Sequence, residues 1–123
     1  MSQSGGGGLT THVLDTAHGR PAAGLRVDLS IVEPEGRTRL LKTMTTNADG
    51  RCDAPLLTSG EMRIARYELV FHVAAYFRAA GVILSDPPFL EEVPVRFAIA
   101  EPGGRYHVPL LVSPHGYVTY RGS

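Results

Sequence analysis

From Leu9 onward the apolar residues of this chain recur at every second position, and that period restricts the fold more than any other feature. The run LRVDLSI (residues 25–31) sets Leu25, Val27, Leu29 and Ile31 on one face and Arg26, Asp28 and Ser30 on the other. Tyr67, Leu69, Phe71 and Val73 repeat the pattern, as do Val93, Val95, Phe97 and Ile99, and then Tyr106, Val108, Leu110 and Val112. Successive side chains of a strand point to opposite faces of a sheet, so each run buries one face and wets the other. Turn chemistry separates the runs: HGRP (18–21), EPEG (33–36), NADG (47–50), DPP (86–88), EPGG (101–104) and SPHG (113–116). About eight short strands at this spacing predict an all-β sandwich. Only residues 74–80, AAYFRAA before Gly81, have a helical composition, enough for about two turns.

The 123 residues suffice for one domain, which is predicted to span 9–123 after a flexible Gly/Ser-rich tail, MSQSGGGG, at 1–8. A domain of this size buries roughly two-thirds of its unfolded surface, so a small-molecule site is expected to be shallow or shared between subunits. Twelve Lys+Arg balance twelve Asp+Glu. A zero net charge speaks against a nucleic-acid or anionic-membrane partner. Eleven of the twelve basic residues are Arg, and only Lys42 is Lys, so positive charge comes as planar forks suited to planar anions. The longest stretch free of Asp, Glu, Lys and Arg, residues 106–120, holds two prolines and two histidines and is no membrane span. The first residues show neither a basic region nor an apolar run, and the last three are not a peroxisomal address. With a single Cys52, which excludes an intrachain disulfide, the expectation is a reducing, cytoplasmic setting.

The last hairpin departs from the usual polarity. If Tyr106, Val108, Leu110 and Val112 face the core, then Arg105, His107, Pro109 and Leu111 face outward. Beyond the turn, Gly116, Val118 and Tyr120 alternate with Tyr117, Thr119 and Arg121. Both faces are therefore partly apolar, which reads as a subunit interface ahead of a loosely amphipathic edge hairpin.

Among residues with chemistry, His12, His18, His72, His107 and His115 include no His-x-His pair, and neither a Cys pair nor an HExxH run occurs, so no metal site is expected. Cys52 reads either as a small buried hydrophobe or as a thiolate nucleophile. His12 and His107 lie in strand-like runs whose pattern offers a histidine no role, and Arg51 directly follows the NADG turn. Taken alone, these three fit hydrogen-bonded strand histidines and a solvated turn residue.

The segments LTTHVLDTAHGRPA (9–22), TNADGR (46–51), DAPL (53–56), YELVFH (67–72), DPPFL (86–90), YHVPLLVSP (106–114) and the closing YRGS (120–123) together resemble the 5-hydroxyisourate hydrolases, transthyretin-related enzymes of urate degradation. YRGS is the most specific of these, since it resembles the hydrolases and not the hormone-carrying transthyretins. The resemblance implies two four-stranded sheets with one short helix, and a homotetramer whose active sites lie at the dimer–dimer interface. It implies catalytic roles for His12, Arg51, His107 and Ser123, substrate binding by His12, Arg51 and Tyr120, and no metal or organic cofactor. One local difference is His115-Gly116, in a turn where many members carry an aromatic residue.

The implied reaction is hydrolytic opening of the N1–C6 amide of a planar, carbonyl-rich ring. Arg51 suits the carbonyl edge and the developing negative charge. Histidines titrate near neutrality, as water activation and leaving-group protonation require, and either of the two fits either step. A carrier of apolar ligands is the competing class. Its channel calls for small apolar groups, which two histidines and an arginine are not.

Overall fold

The period-two runs form strands in the computed structural model, which describes residues 7–122. In chain order the elements are β1 (Gly8–Asp15), β2 (Arg20–Pro21), β3 (Arg26–Val32), β4 (Thr38–Thr45), β5 (Leu57–Thr58), β6 (Ala65–Phe71), helix α1 (Val73–Ala79), β7 (Val93–Ile99), β8 (Arg105–Ser113) and β9 (Gly116–Thr119). One sheet runs β9-β8-β1-β2, with β5 also pairing β1, and the other runs β4-β3-β6-β7. The expected all-β sandwich with one short helix is present. Its first sheet counts five strands because β1 is flanked on one side by two separate two-residue pieces, β2 and β5. β1 begins at Gly8, one residue ahead of the expected domain start, and its amide donates to the Gly104 carbonyl at 3.0 Å. Residues 1–6 of the expected tail, and Ser123, lie outside the described residues.

The core forms where the apolar faces of the two sheets meet. Leu9 and Val13 of β1, Val27 and Leu29 of β3, Leu69 and Phe71 of β6, and Leu110 and Val112 of β8 are fully buried. Each such side chain contributes roughly 1.5–3 kcal/mol on leaving water. Val73 departs from the strand pattern: β6 ends at Phe71, and Val73 is buried as the first residue of α1. Ile31 is only partly buried against the core. β4 was not legible as a strand, because its side chains are mostly exposed and it pairs only with β3. There the register slips, with Leu29 opposite Lys42 and Ser30 opposite Leu40, so Leu41 is an extra residue in the edge strand.

The helix is tied to the first sheet by a buried acid. Asp15, at the end of β1, has no exposed surface. It accepts hydrogen bonds from the Tyr76 hydroxyl of α1 (2.7 Å) and the His18 amide (3.0 Å), and its other contact is with His18 Nδ1 (2.6 Å). Burial alone would raise its pKa, but the bonds from Tyr76 and His18 win and hold it below 3.8. A carboxylate with a depressed folded pKa contributes stability that is present above its unfolded pKa and is lost as pH falls through the folded value. Asp15→Asn should therefore lower stability by about 2 kcal/mol near neutral pH, or about 8 °C in Tm, because one amide cannot accept from every donor. The gap between variant and parent should close as the pH is taken below 3.8, and thermal unfolding at several pH values checks this. Equal Tm values at neutral pH would show that the network contributes nothing.

Candidate functional site

Strands β1 and β8 run parallel, and their register builds the outer face of the first sheet. Thr10 pairs with His107, His12 with Pro109, and Leu14 with Leu111. Leu9, Thr11 and Val13 alternate with these residues and point into the core, which leaves the side chains of Thr10, His12 and Leu14 outside. On the far side of β8, Val118 pairs with Leu111 and Thr119 with Leu110. Past β9 the count continues unbroken, since Gly122 bridges His107 and its amide donates to the His107 carbonyl at 2.7 Å. Tyr120 thus falls opposite Pro109.

Arg51 reaches the same face from the other edge of β1. β5 covers the start of that edge and β2 its end, and the gap between them is closed by the residue after the NADG turn, Arg51, which bridges His12. The turn is built by Asn47. Its Oδ1 accepts from the amides of Asp49 (2.9 Å) and Arg51 (3.2 Å), and its own amide donates to the Arg51 carbonyl (2.7 Å). Gly50 has φ +75°, and a Cβ there would lie 2.4 Å from the Val13 carbonyl oxygen, so only glycine lets the turn dock on β1. The Gly50 carbonyl then accepts from the Val13 amide at 2.8 Å and locks the register.

Across the sheet, one row therefore reads Arg51, His12, Pro109, Tyr120, and the next reads Thr10, His107, Gly122. Side chains in adjacent positions of such rows sit roughly 5–7 Å apart, so His12, His107 and Arg51 form one cluster. Arg26, Arg39 and Arg96 each hold a carboxylate at 2.9–3.0 Å. Arg51 holds none among the described residues, and its guanidinium faces solvent. Burial, the nearby Arg51 charge and His12 push the His107 pKa below the ordinary histidine value, which favours the neutral imidazole. The Thr10 hydroxyl lies 2.9 Å from its Nδ1.

Beside the cluster, Thr10, Thr11, Arg51, Cys52, Asp53, Ala54 and Pro55 line a cavity of about 230 Å³. Burial and Asp53 push the Cys52 thiol up, which favours its protonated form and the reading as a small, half-buried hydrophobe. Tyr120 is exposed and makes no hydrogen bond to the cluster among the described residues. Three contributors escaped the sequence reading: Thr10, Asn47 and Gly122. Asn47 was visible only as a turn former, and the other two carry no local signal. Among the described residues, no group of three or more His, Cys, Asp or Glu is placed to hold a metal ion, and no helix is long and apolar enough to cross a membrane.

Two imidazoles and a guanidinium that, among the described residues, holds no carboxylate thus share one outer face of a β-sandwich. The chain belongs to the HIUase/Transthyretin family, which it matches over residues 9–122. It is 58% identical over 123 residues to 5-hydroxyisourate hydrolase 2 of Rhizobium meliloti (strain 1021), covering 100% of both chains. Among solved structures it is similar to (S)-allantoin synthase, with a TM-score of 0.88 and 43% identity, covering 96% of this chain but only 44% of that one. It is also similar to sea bream transthyretin in complex with thyroxine, with a TM-score of 0.81 and 28% identity over 93% of each chain.

Proposed function

We propose that the protein is a 5-hydroxyisourate hydrolase, opening the N1–C6 amide of its substrate to yield 2-oxo-4-hydroxy-4-carboxy-5-ureidoimidazoline. The observation that carries this reading is the convergence of His12, His107 and Arg51 on one face, from strands and a turn far apart in sequence. The match over the whole length of a hydrolase supports it. The synthase, matched over less than half of its chain, offers no comparable support. A thyroxine-type carrier is disfavoured, because a charged guanidinium and two imidazoles are a poor lining for an apolar ligand.

In the proposed reaction a water oxygen adds to C6 while its proton passes to a neutral imidazole. His107 suits that step because its depressed pKa keeps it unprotonated. The oxyanion that forms at C6 is stabilised by the Arg51 fork. The C6–N1 bond then breaks as the second imidazole, His12, hands N1 a proton and takes up the proton of the new C6 hydroxyl, so that C6 is left as a carboxylate and the proton held by His107 returns to solvent. Tyr120 and Ser123 supply hydroxyls to orient ring and water. All of these groups belong to the chain itself, so neither metal nor organic cofactor enters the scheme.

The site is proposed to be completed by a second subunit within a homotetramer. Leu14, Leu111 and Val118 form an apolar row beside the polar cluster, and Val118 is 60% exposed. An apolar patch that borders a shallow polar site favours a partner chain over water. A cytoplasmic setting fits the single free thiol of Cys52.

An ultraviolet assay on freshly made 5-hydroxyisourate tests the function, with light scattering on the same sample to test the assembly. Ring opening far faster than spontaneous decay, by a four-chain particle, is the expected result. Thyroxine binding without turnover would instead make the protein a carrier, and a fully active monomer would remove the shared site.

A further inference from the structure

Two residues beside His107 have no role in that scheme, yet both bear on the ring. Thr10 is 97 positions away in sequence and opposite His107 in the parallel pairing of β1 with β8, and its hydroxyl lies 2.9 Å from Nδ1. Gly122 sits on the other side, where a Cβ would lie 2.6 Å from Cδ2 of the imidazole and 3.3 Å from Cγ. Gly122 is not among the glycines at positive φ, so space and not backbone freedom requires glycine here. The ring is thus spread across the sheet, its Nδ1 edge toward β1 and its Cδ2 edge over the terminal segment. The two remaining ring atoms, Cε1 and Nε2, then point away from the sheet.

We propose that Thr10 and Gly122 are positioning residues for His107: the Thr10 hydroxyl holds Nδ1–H, and the bare Cα of Gly122 leaves room for the ring, so that an unprotonated Nε2 faces the substrate. The proposal rests on the hydrolase reading for its catalytic consequence. A hydroxyl accepts from Nδ1–H in the neutral ring and equally in the imidazolium, so this contact persists while Nε2 takes up and releases a proton. With the ring proton on Nδ1, the Thr10 hydroxyl is its acceptor and Nε2 is left free.

The test uses the full-length protein and the variants Thr10→Val, Thr10→Ser and Gly122→Ala. Valine keeps the β-branched shape of threonine at an exposed strand position but removes the hydroxyl, so the fold is retained. Thr10→Val should lower kcat about tenfold with little change in KM, and should shift the acidic limb of the pH profile. Thr10→Ser should restore both, whereas Gly122→Ala should lower kcat at least as far because the ring has to swing aside. Nitrogen-15 NMR of histidine side chains in the substrate-free protein reads the tautomer directly. Nδ1–H should dominate in the parent and in Thr10→Ser, and give way to a mixture in Thr10→Val. Unchanged kcat, pH limb and nitrogen shifts in Thr10→Val and Gly122→Ala would overturn the proposal. If His107→Ala remained fully active, the catalytic reading would fall, and the nitrogen shifts alone would decide the positioning: unaltered shifts in Thr10→Val would end it.

Discussion

Replacing His107 with alanine is expected to lower turnover of 5-hydroxyisourate by roughly 10²–10⁴-fold, the usual contribution of a well-placed acid–base group. His12→Ala should fall in the same range. Neither change should unfold the protein. Both side chains lie on the outer face of the first sheet, and the pairing at these positions is made by main-chain atoms, as in the bond from the Gly122 amide to the His107 carbonyl. The pH profile carries a second signature. A general base must be unprotonated, so kcat/KM should rise as pH rises through the pKa of His107, hold a plateau, and fall again at higher pH where the acid that serves N1 loses its proton. That pKa is lowered by burial, by Arg51 and by His12, so the plateau should extend to lower pH than an ordinary histidine allows. In His107→Ala this limb should vanish from what activity remains. Full activity in both alanine variants would show that the histidines are structural.

Arg51→Ala should reduce kcat by roughly 10²–10³-fold, the cost of removing a donor aimed at a developing oxyanion. The turn should survive the change, because Asn47 holds residue 51 through its backbone, and the bridge to His12 is likewise a main-chain pairing. Arg51→Lys retains the charge but presents no planar fork, so it should recover only a fraction of the lost rate. The electrostatics supply an internal check. The Arg51 charge helps to lower the His107 pKa, so its removal should move the acidic limb of the pH profile upward, while lysine should leave that limb near its original position. A steady-state pH series on the three proteins separates the two effects. Activity within about threefold of the parent in Arg51→Ala would remove the guanidinium from the transition state.

Alternation made β3, β6, β7 and β8 legible, because every second side chain of each packs on the core. It failed at β4, where an edge strand with mostly exposed side chains has no reason to alternate, and at β2 and β5, which are too short to show a period. The site was legible in the same uneven way. His12 and His107 stood out as strand histidines without a local purpose, and Arg51 stood out only through the resemblance and the turn before it. Thr10 reads as one of two adjacent threonines, and Gly122 as a glycine near the end of the chain.

By itself the sequence determined the alternating strands and their core faces, the turns and the family resemblance, since period, turn chemistry and motif are properties of neighbouring residues. Only the tertiary structure decided that His12, Arg51 and His107 meet. The physical reason is register: the parallel pairing of β1 with β8 aligns residues 97 positions apart, and the Asn47 turn fills the one gap in the edge of β1 with Arg51. The space that Gly122 leaves for the imidazole exists only once those strands lie side by side.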